Sequence, residues 1–328
     1  MIDRSMNRQQ FQKLIKQAAK LDPVQKQKLV QTLTLQENPI LERLAKECIS
    51  HGKCIHCESE RLRKYGKSNG RQRFYCNHCQ KTFVCTRGSA YFYQHKADDW
   101  QAYLEHMLDQ DSIRVCAKKV GISSVTSFNW RHRYMNAAEN TFEDRLEGII
   151  EADETYFRES KKGDKHLNRP TRKRGTKAST KGLNNTDWVA VLTAMDRNHH
   201  EFDHVLKQVT GDEIEMYLGS KIVDESILCT DGQPAYHRIC ENHHLHHVVL
   251  TNARTKEGVF HIQNINNYHS QLKQWYLKMH GVASKYLPKY LGWFRMLAWH
   301  KYQVFSENLN EQEKLLEFKL LQIQQHNF

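Results

Sequence analysis

The sequence of 328 residues predicts a multidomain α+β protein, in which N-terminal helices, a cysteine-rich β-ribbon and a helix-turn-helix precede a mixed α/β domain. Two Cys-x-x-Cys pairs lie within residues 54–79, helix-like spacing extends from about residue 98 to 140, and strand and helix patterns alternate from residue 148 onward. These patterns predict domains at 1–50 (helical lead-in), 51–90 (ribbon), 91–142 (helix-turn-helix), 143–306 (α/β domain) and 307–328 (C-terminal helix).

Composition indicates a chain that packs into folded domains and does not cross a membrane. Hydrophobic residues make up 39% and aromatic residues 10% of the sequence, while a mean hydropathy of -0.77 leaves no apolar stretch long enough to span a bilayer. The opening residues MIDRSMNRQQ lack the apolar core of a secretory signal. We therefore expect a protein of the cytoplasm or nucleoid.

The net charge of +12 is concentrated in two segments. Residues 53–87 carry nine basic and two acidic side chains, residues 158–181 carry ten basic and two acidic ones, and the remainder is slightly acidic. A positive charge by itself also suits an acidic membrane surface or simple solubility. Its concentration in two segments favours nucleic acid as the partner.

Residues 7–48 show the spacing of two short helices separated by a break at Pro23. The apolar residues on their stripes are Phe11, Leu14, Ile15 and Ala18 before the break, and Leu29, Leu33 and Leu35 after it. Such stripes are typical of helices that pack on a neighbouring element, so we assign no chemistry to this segment.

Four cysteines form two pairs with the spacing of a structural zinc site: Cys54, Cys57, Cys76 and Cys79. Each Cys-x-x-Cys turn directs two sulfurs at one ion, and a hairpin between the turns joins the pairs, so metal binding replaces a core too small to fold alone. His56 and His78 are alternative ligands, and a redox motif is a second alternative. Duplication of the pair disfavours the redox motif. The remaining cysteines are expected to pack as small apolar residues: Cys48, Cys85, Cys116, Cys229 and Cys240.

The ribbon carries basic side chains interleaved with aromatic ones, which favours contact with nucleic acid over a merely solvated face. The residues predicted to contact DNA phosphates are Arg61, Arg63, Arg71 and Arg73. Their aromatic neighbours are Tyr65, Phe74 and Tyr75.

Residues 112–133 have the spacing of a helix-turn-helix. Small Ala117 allows the two helices to approach, Gly121 permits the tight turn, and a second helix begins after Ser123. Ile122, Val125 and Phe128 are predicted to pack inward, with Trp130 closing the core. The side chains predicted to face a DNA major groove are Thr126, Ser127, Asn129, Arg131 and Arg133. An ordinary helical hairpin is the alternative, and the neighbouring basic ribbon favours DNA binding.

In the α/β domain, strands are predicted at 148–157, 187–195, 201–208, 226–230 and 245–250, and helices near 212–220, 233–242, 263–280 and 288–305. Asp153 lies in the first strand and Asp231 follows the fourth. A polar face of the third helix contains Asn266, Ser270 and Lys273 at positions i, i+4 and i+7.

These three elements together suit phosphodiester chemistry. Two aspartates and a polar helix face can hold two hard divalent ions, Mg²⁺ or Mn²⁺, about 4 Å apart through oxygen ligands. Lys273 can position a DNA phosphate or stabilise charge at phosphorus. Each element alone has an ordinary explanation: an acidic strand end, a turn, or a solvated helix face.

The segments EADETYFRES, RPTRKRGTKAS, TDGQPAY, HIQNINNYHSQLKQW and GVASKYLPKYLGWFRML resemble the bacterial insertion-sequence transposases of the family numbered fifteen ninety-five. The resemblance extends over nearly the whole chain. It implies a ribonuclease-H-like domain with a DDE-type triad and a following lysine, carried by Asp153, Asp231, Asn266 and Lys273, of which the first three would bind the catalytic ions.

Asn266 stands where many members of this family have glutamate, and others have asparagine, so the site lacks one negative charge. Glu151 and Glu257 are candidates for a compensating acid. The resemblance also implies that the basic insertion 158–183 grips DNA, through Arg172, Lys173, Arg174 and Lys177. A dimer or larger synaptic assembly on double-stranded DNA is the expected working form.

The function predicted is therefore transposition, in which the chain binds the terminal inverted repeats of its own element and cleaves and joins DNA strands. A catalytically silent DNA-binding regulator derived from such an enzyme is the alternative, and a plain nuclease is a weaker third. The presence of Asp153, Asp231 and Lys273 favours an enzyme, because a binding module has no need of them.

Overall fold

Two compact units make up the chain, one containing residues 1–87 and 91–101 and the other residues 88–90 and 102–328. The computed structural model describes residues 8–23, 25–26, 39–89, 91–93, 96, 99–139, 145–167, 169–173, 187–250, 257–279 and 281–306. The predicted C-terminal helix 307–328 and the leucines at positions 29, 33 and 35 lie outside this set. Within it, every helix is too short or too polar to traverse a bilayer.

In the described part of the first unit, helices accompany a small antiparallel sheet. Its elements are α1 (Arg8–Ala19), α2 (Pro39–His51), β1 (Leu62–Ser68), β2 (Arg71–Cys76) and β3 (Thr82–Val84). The strands are ordered β1-β2-β3. Phe74 of β2 and Phe83 of β3 are paired in register, buried and stacked at 5.6 Å between ring centroids. Alternation along β2 therefore turns Arg73 and Tyr75 to the opposite face.

The helical part that follows has the geometry of a helix-turn-helix. Its helices are α3 (Trp100–Leu108), α4 (Ile113–Val120) and α5 (Ser124–Glu139). Ser112 caps α4 by accepting a hydrogen bond from the backbone N–H of Val115, and Gly121 ends the helix with φ 71°. The predicted turn at Gly121 and the predicted helix start after Ser123 are both confirmed, since glycine adopts positive φ without strain.

The rest of the second unit is a mixed sheet flanked by helices. Its strands are β4 (Ile149–Arg158), β5 (Trp188–Asp196), β6 (Glu201–Leu206), β7 (Ile227–Thr230) and β8 (His246–Val249), and its helices are α6 (Gly211–Leu218), α7 (His237–Asn242), α8 (Gln263–Leu277) and α9 (Leu287–Ser306). The strand order is β6-β5-β4-β7-β8. Strands β4, β5 and β6 pair antiparallel, whereas β4, β7 and β8 pair parallel. The predicted strands and helices are confirmed to within a few residues.

The two faces of β4 have different roles. Ile150 and Ala152 belong to a fully buried apolar core that also contains Ile214 of α6 and Ile239 of α7. The alternate residues point to the other face, where Glu151 contacts the start of α8. Since side chains alternate along a strand, Asp153 shares the α8 face with Glu151, as predicted.

The helix-turn-helix packs directly on the α/β part through α5 and α9. The two helices cross so closely that a Cβ atom added to Gly292 would lie 2.7 Å from the backbone nitrogen of Glu139. Aromatic contacts continue this interface, with ring centroids of His132 and Tyr286 4.3 Å apart. Both parts consequently belong to one compact unit.

We expect Gly292→Ala to destabilise this unit by about 3 kcal/mol, because an added methyl group meets backbone atoms that cannot rotate away. Urea unfolding of the full chain measures the change in free energy. Gly211→Ala is the matched control, since its added Cβ would meet nothing nearer than 3.3 Å. Equal stability of the two variants would show that the α5–α9 crossing relaxes without cost.

A buried charge network links α8, α9 and β6. Arg295 donates to the carboxylate of Asp203, which also accepts from the hydroxyl of Tyr268 at 2.8 Å. Glu201 lies two residues away on the same strand face. Burial, with the Asp203 carboxylate acting in the same direction, raises the pKa of Glu201 from 4.5 to about 8.

Glu201 should make stability depend on pH. Between pH 4.5 and about 8 the unfolded chain releases a proton that the folded chain keeps, so this carboxyl destabilises the fold increasingly as the pH rises. Between pH 5 and pH 8, the wild-type protein should therefore lose about 1–3 kcal/mol more unfolding free energy than the Glu201→Gln variant. Urea unfolding at both pH values tests this, with exposed Glu241→Gln as control. An unchanged pH dependence in the Glu201 variant would contradict it.

Candidate functional site

Asp153 lies in β4, and Asp231 directly follows the neighbouring parallel strand β7. Glu151 of β4 is in register with Cys229 of β7, the last pair of this ladder, and Asp153 and Asp231 each follow two residues farther along. Burial raises the pKa of Asp153 to about 6, and the Asp231 carboxylate acts in the same direction. The ammonium group of Lys273 and the backbone N–H of Glu154 oppose this shift. A half-buried carboxylate beside an exposed one that repels it favours binding of a cation.

Helix α8 covers this pair with polar side chains. The Nδ2 atom of Asn266 donates to the backbone carbonyl of Ile262 at 2.8 Å, which leaves its Oδ1 atom without a hydrogen bond from the part of the chain described. Asn266 and Lys273 are half-buried, whereas Ser270 is exposed. The amide oxygen is therefore available as a ligand, and the lysine acts electrostatically on Asp153.

His269 is a member of this site that the sequence analysis missed. Its Nδ1 atom lies 3.7 Å from Oδ2 of Asp153. Burial lowers the pKa of His269 to about 3, and the Lys273 ammonium group contributes to the decrease. The ring is therefore neutral near pH 7. Its position three residues after Asn266, on the same helix face, is the signal that would have identified it.

Glu151 anchors α8 to the sheet. Its carboxylate is only 1% exposed and pairs with Arg197 at 2.6 Å. It accepts hydrogen bonds from the backbone N–H groups of Asn264 and Ile265, at 3.0 and 3.1 Å, in the first turn of α8. Both oxygens are thus engaged in positioning the helix, which leaves neither free to compensate for Asn266. Glu257, the other candidate acid, is exposed.

The loop after β7 lies against both neighbouring strands, β8 and β4. Gly232 has φ 88°, and a Cβ atom there would lie 2.5 Å from Val249. The hydroxyl of buried Tyr236 donates to Glu154 at 2.5 Å. Burial raises the pKa of Glu154 to about 7. This Tyr236–Glu154 contact, which sequence reasoning also missed, joins the loop to the strand that carries Asp153.

The four paired cysteines converge in the first unit. Sγ of Cys54 lies 3.7 Å from that of Cys79, and Sγ of Cys57 lies 3.7 Å from that of Cys76. All four sulfurs lie within 4.8 Å of one another. Tetrahedral zinc with bonds of about 2.3 Å places its sulfurs roughly 3.8 Å apart. The cluster therefore fits a four-cysteine zinc site.

The two cysteine turns have matching backbone conformations. Glu58, which follows Cys57, has φ 57°, and Gln80, which follows Cys79, has φ 59°. The backbone N–H of Cys79 hydrogen-bonds the sulfur of Cys76 and lowers the pKa of this thiol to about 6. The His56 side chain instead packs edge-on against Phe83, and neither it nor His78 belongs to the cluster.

Arginine and tyrosine side chains alternate on the outer face of the ribbon. The Arg63 guanidinium lies 4.8 Å from the ring centroid of Tyr75, and that of Arg73 lies 5.4 Å from Tyr65, which is 46% exposed. The two tyrosine rings are 5.5 Å apart. Arg61 is exposed, whereas Arg71 is half-buried beside Trp100. Arg63 and Arg73 are therefore oriented by stacking before any ligand arrives.

The predicted orientation of two helix-turn-helix side chains is wrong. Ser127 is fully buried and donates to the backbone carbonyl of Ile113 at 2.8 Å. Arg131 is 6% exposed and donates to the Asp111 carbonyl. Conversely Val125, predicted to pack inward, is 71% exposed. The register of α5 turns Ser127 and Arg131 toward α4, while Asn129 and Arg133 are exposed and Thr126 is half-buried.

The basic insertion begins with arginines that are already paired. Arg172 contacts the Asp187 carboxylate and the backbone carbonyl of Glu159, and Arg169 pairs with the Glu159 carboxylate at 2.7 Å. Lys173 is exposed. The other two residues predicted to contact DNA here, Arg174 and Lys177, lie outside the described residues. Arg172 thus holds the insertion against the adjoining ends of β4 and β5.

Residues 145–296 match the family model of the ISXO2-like transposase domain, and no curated protein matches the chain. Among fifteen matching chains of solved structures is one from the simian T-cell lymphotropic virus intasome bound to PP2A regulatory subunit B56 gamma, with 12% identity over 58% of this chain and 66% of that one, and a TM-score of 0.28. Another is from the Mos1 transposase paired-end complex with the left transposon end, with 13% identity over 67% and 75% and a TM-score of 0.26. The chain thus spans about two thirds of the first and three quarters of the second.

Proposed function

Because residues 145–296 belong to the ISXO2-like transposase domain family, we propose that the chain is a DNA transposase. It binds the terminal inverted repeats of its insertion sequence and catalyses divalent-metal-dependent strand cleavage and strand transfer. The observation that carries this proposal is Asp153, which lies close enough to Asp231 and Lys273 for both to shift its pKa and is contacted by His269 of α8. The order β6-β5-β4-β7-β8 supports a ribonuclease-H-like domain, with Asp153 on the central strand β4 and Asp231 directly after its parallel neighbour β7.

The residues that would hold Mg²⁺ or Mn²⁺ are Asp153, Asp231 and the free amide oxygen of Asn266. Two such ions, when bound, would activate the attacking oxygen and stabilise the leaving oxygen. The Asp153 carboxylate is positioned by a hydrogen bond from the backbone N–H of Glu154, at 2.8 Å, and by the neighbouring neutral ring of His269. Lys273 places a positive charge beside the carboxylates, where it orients a phosphate of the DNA strand.

The reaction consists of two phosphoryl transfers. In the first, a water oxygen bonds to phosphorus at the element end and the bond to the 3′ oxygen breaks, which frees a 3′-hydroxyl. In the second, this hydroxyl attacks a phosphodiester of the target strand. One phosphodiester forms as another breaks, and the released target oxygen leaves as a new 3′-hydroxyl. Two element ends must be processed and joined together, so a dimer or larger assembly is the expected working form.

The first unit and the helix-turn-helix would supply DNA binding. The four-cysteine cluster would hold a structural zinc ion, which fixes the hairpin that carries Arg63 and Arg73. Exposed Asn129 and Arg133, with half-buried Thr126, would face the major groove from α5. Exposed Lys173 and the rest of the basic insertion would contact backbone phosphates near the acidic pair.

Full-length protein, labelled element-end duplex and a supercoiled target plasmid test the proposal. With Mg²⁺ or Mn²⁺ we expect nicks at the element end followed by joined products, and neither with EDTA. A protein that binds the ends but yields no nick or joined product with either ion would instead be a DNA-binding regulator. Nicks without end specificity or joining would indicate a plain nuclease.

A further inference from the structure

One exposed stripe of α5 combines an apolar, an amide and a guanidinium side chain. Val125, Asn129 and Arg133 follow each other at intervals of four residues and are all exposed. The opposite side of the helix is filled by the buried residues Ser127, Trp130, Arg131 and Tyr134. The stripe is therefore the surface that α5 presents outward, beginning in its first turn.

Val125 contributes little to the packing of the residues that the structure describes. It is 71% exposed, whereas the apolar contact beneath α5 is made by Trp130 against Tyr103, with ring centroids 5.3 Å apart. The helix start is stabilised independently of Val125, because Ser123 Oγ accepts the backbone N–H of Thr126 at 3.0 Å. A β-branched apolar residue is also a weak helix former. Its exposure in the first turn leaves its apolar side chain accessible to a ligand.

The neighbours of Val125 narrow the choice of ligand. Asn129, one turn farther along, carries the side chain that pairs with the N6 and N7 atoms of adenine. Thymine presents the apolar 5-methyl group in the same groove, and the first residues of a recognition helix approach base edges. The hydroxyl of Thr126 is engaged with Ser123 Oγ at 2.9 Å, which leaves Val125 and Asn129 as the groups best placed to read bases.

We propose that Val125 reads the 5-methyl group of a thymine in the major groove, next to an adenine bound by Asn129. This inference rests on the DNA-binding role of the helix-turn-helix proposed above. Side chains four residues apart on a helix are about 6 Å apart, and base pairs are separated by about 3.4 Å. The thymine and the adenine consequently lie one or two base-pair steps from each other.

Replacing single thymines of the element-end duplex by deoxyuridine tests the proposal with unmodified protein. Deoxyuridine lacks only the methyl group, so pairing and charge are kept. Burial of one methyl group corresponds to about a fourfold change in affinity. We expect one thymine to show this loss by fluorescence anisotropy, and Val125→Ala to bind the thymine and deoxyuridine duplexes equally.

Val115→Ala is the matched control, because Val115 is a 40% exposed valine on α4, and it should keep the preference for thymine. If deoxyuridine leaves the affinity for the duplex unchanged at every position, the proposed contact with thymine is wrong, although DNA binding itself is not contradicted. A thymine preference that persists in Val125→Ala would also overturn it. Failure of the wild-type protein to bind duplex DNA at all would instead remove the proposed DNA-binding role.

Discussion

Replacing Asp153 or Asp231 by asparagine is expected to lower the rate of strand cleavage by about 10³-fold, while element-end DNA remains bound. Asparagine keeps the shape of the side chain but removes the negative charge with which the pair would hold its cations. Asn266 already contributes a neutral oxygen, so the loss of either aspartate would leave a single carboxylate in the set of ligands. Single-turnover cleavage of labelled element ends measures the effect.

The same substitutions should leave the fold intact or make it slightly more stable. Burial raises the pKa of Asp153 to about 6, and Asp231 acts in the same direction, which means that the folded chain bears a cost for ionising this group. Asp224→Asn is the matched control, because Asp224 is exposed and pairs with His243 at 2.7 Å, outside the proposed site. Wild-type cleavage by both site variants would disprove the assignment.

Replacing Cys76 by serine is expected to abolish zinc binding and to unfold the ribbon. Zinc contributes about 10–16 kcal/mol of apparent binding free energy to folding in isolated zinc-finger peptides, far more than a three-stranded sheet of this size can replace. The buried aromatic pair Phe74 and Phe83 and the four sulfurs are the main internal contacts of the hairpin. Metal content and limited proteolysis within residues 52–88 measure the two effects.

Cys48→Ser provides the matched control in the same unit. Cys48 donates to the backbone carbonyl of Cys85 at 3.5 Å, a hydrogen bond that a serine hydroxyl can make, and it lies outside the cluster. We expect one zinc ion per chain in this variant and none in Cys76→Ser. A ribbon that resists proteolysis equally in both variants would show that the metal is not needed for folding.

Much of the local architecture could be predicted from sequence because its causes are local. The spacing of two Cys-x-x-Cys pairs allows the sulfurs to meet once a hairpin forms between them, and the structure brings them together. Gly121 ends α4 because a left-handed residue is needed there. Period-two alternation correctly placed Glu151 and Asp153 on one face of β4. The zinc ion and the roles of the catalytic residues stay predictions.

Other features depended on partners that are remote in the chain. The spacing around Val125 and Ser127 suits two registers of α5, and only packing against Tyr103 and Ile113 selects the one that buries Ser127. The basic composition of the insertion could not reveal that Arg172 pairs with Asp187. Likewise, the sequence of an acidic strand end does not show which acid binds the first turn of α8. In the structure it is Glu151, and not Asp153, that accepts the backbone N–H of Asn264.

The sequence by itself determined which side chains are available to each element: four thiolates in the ribbon, an acid on each of two strands, and an amide and a lysine on one helix. Only the tertiary structure decided which of these side chains lie close together. Asp153 and Asp231 are far apart in the chain, and the parallel pairing of β4 with β7 brings the ends of their strands together. The periodicity of a sequence shows which side chains share a face of one helix or strand. Which face becomes buried depends on the free energy of packing between elements.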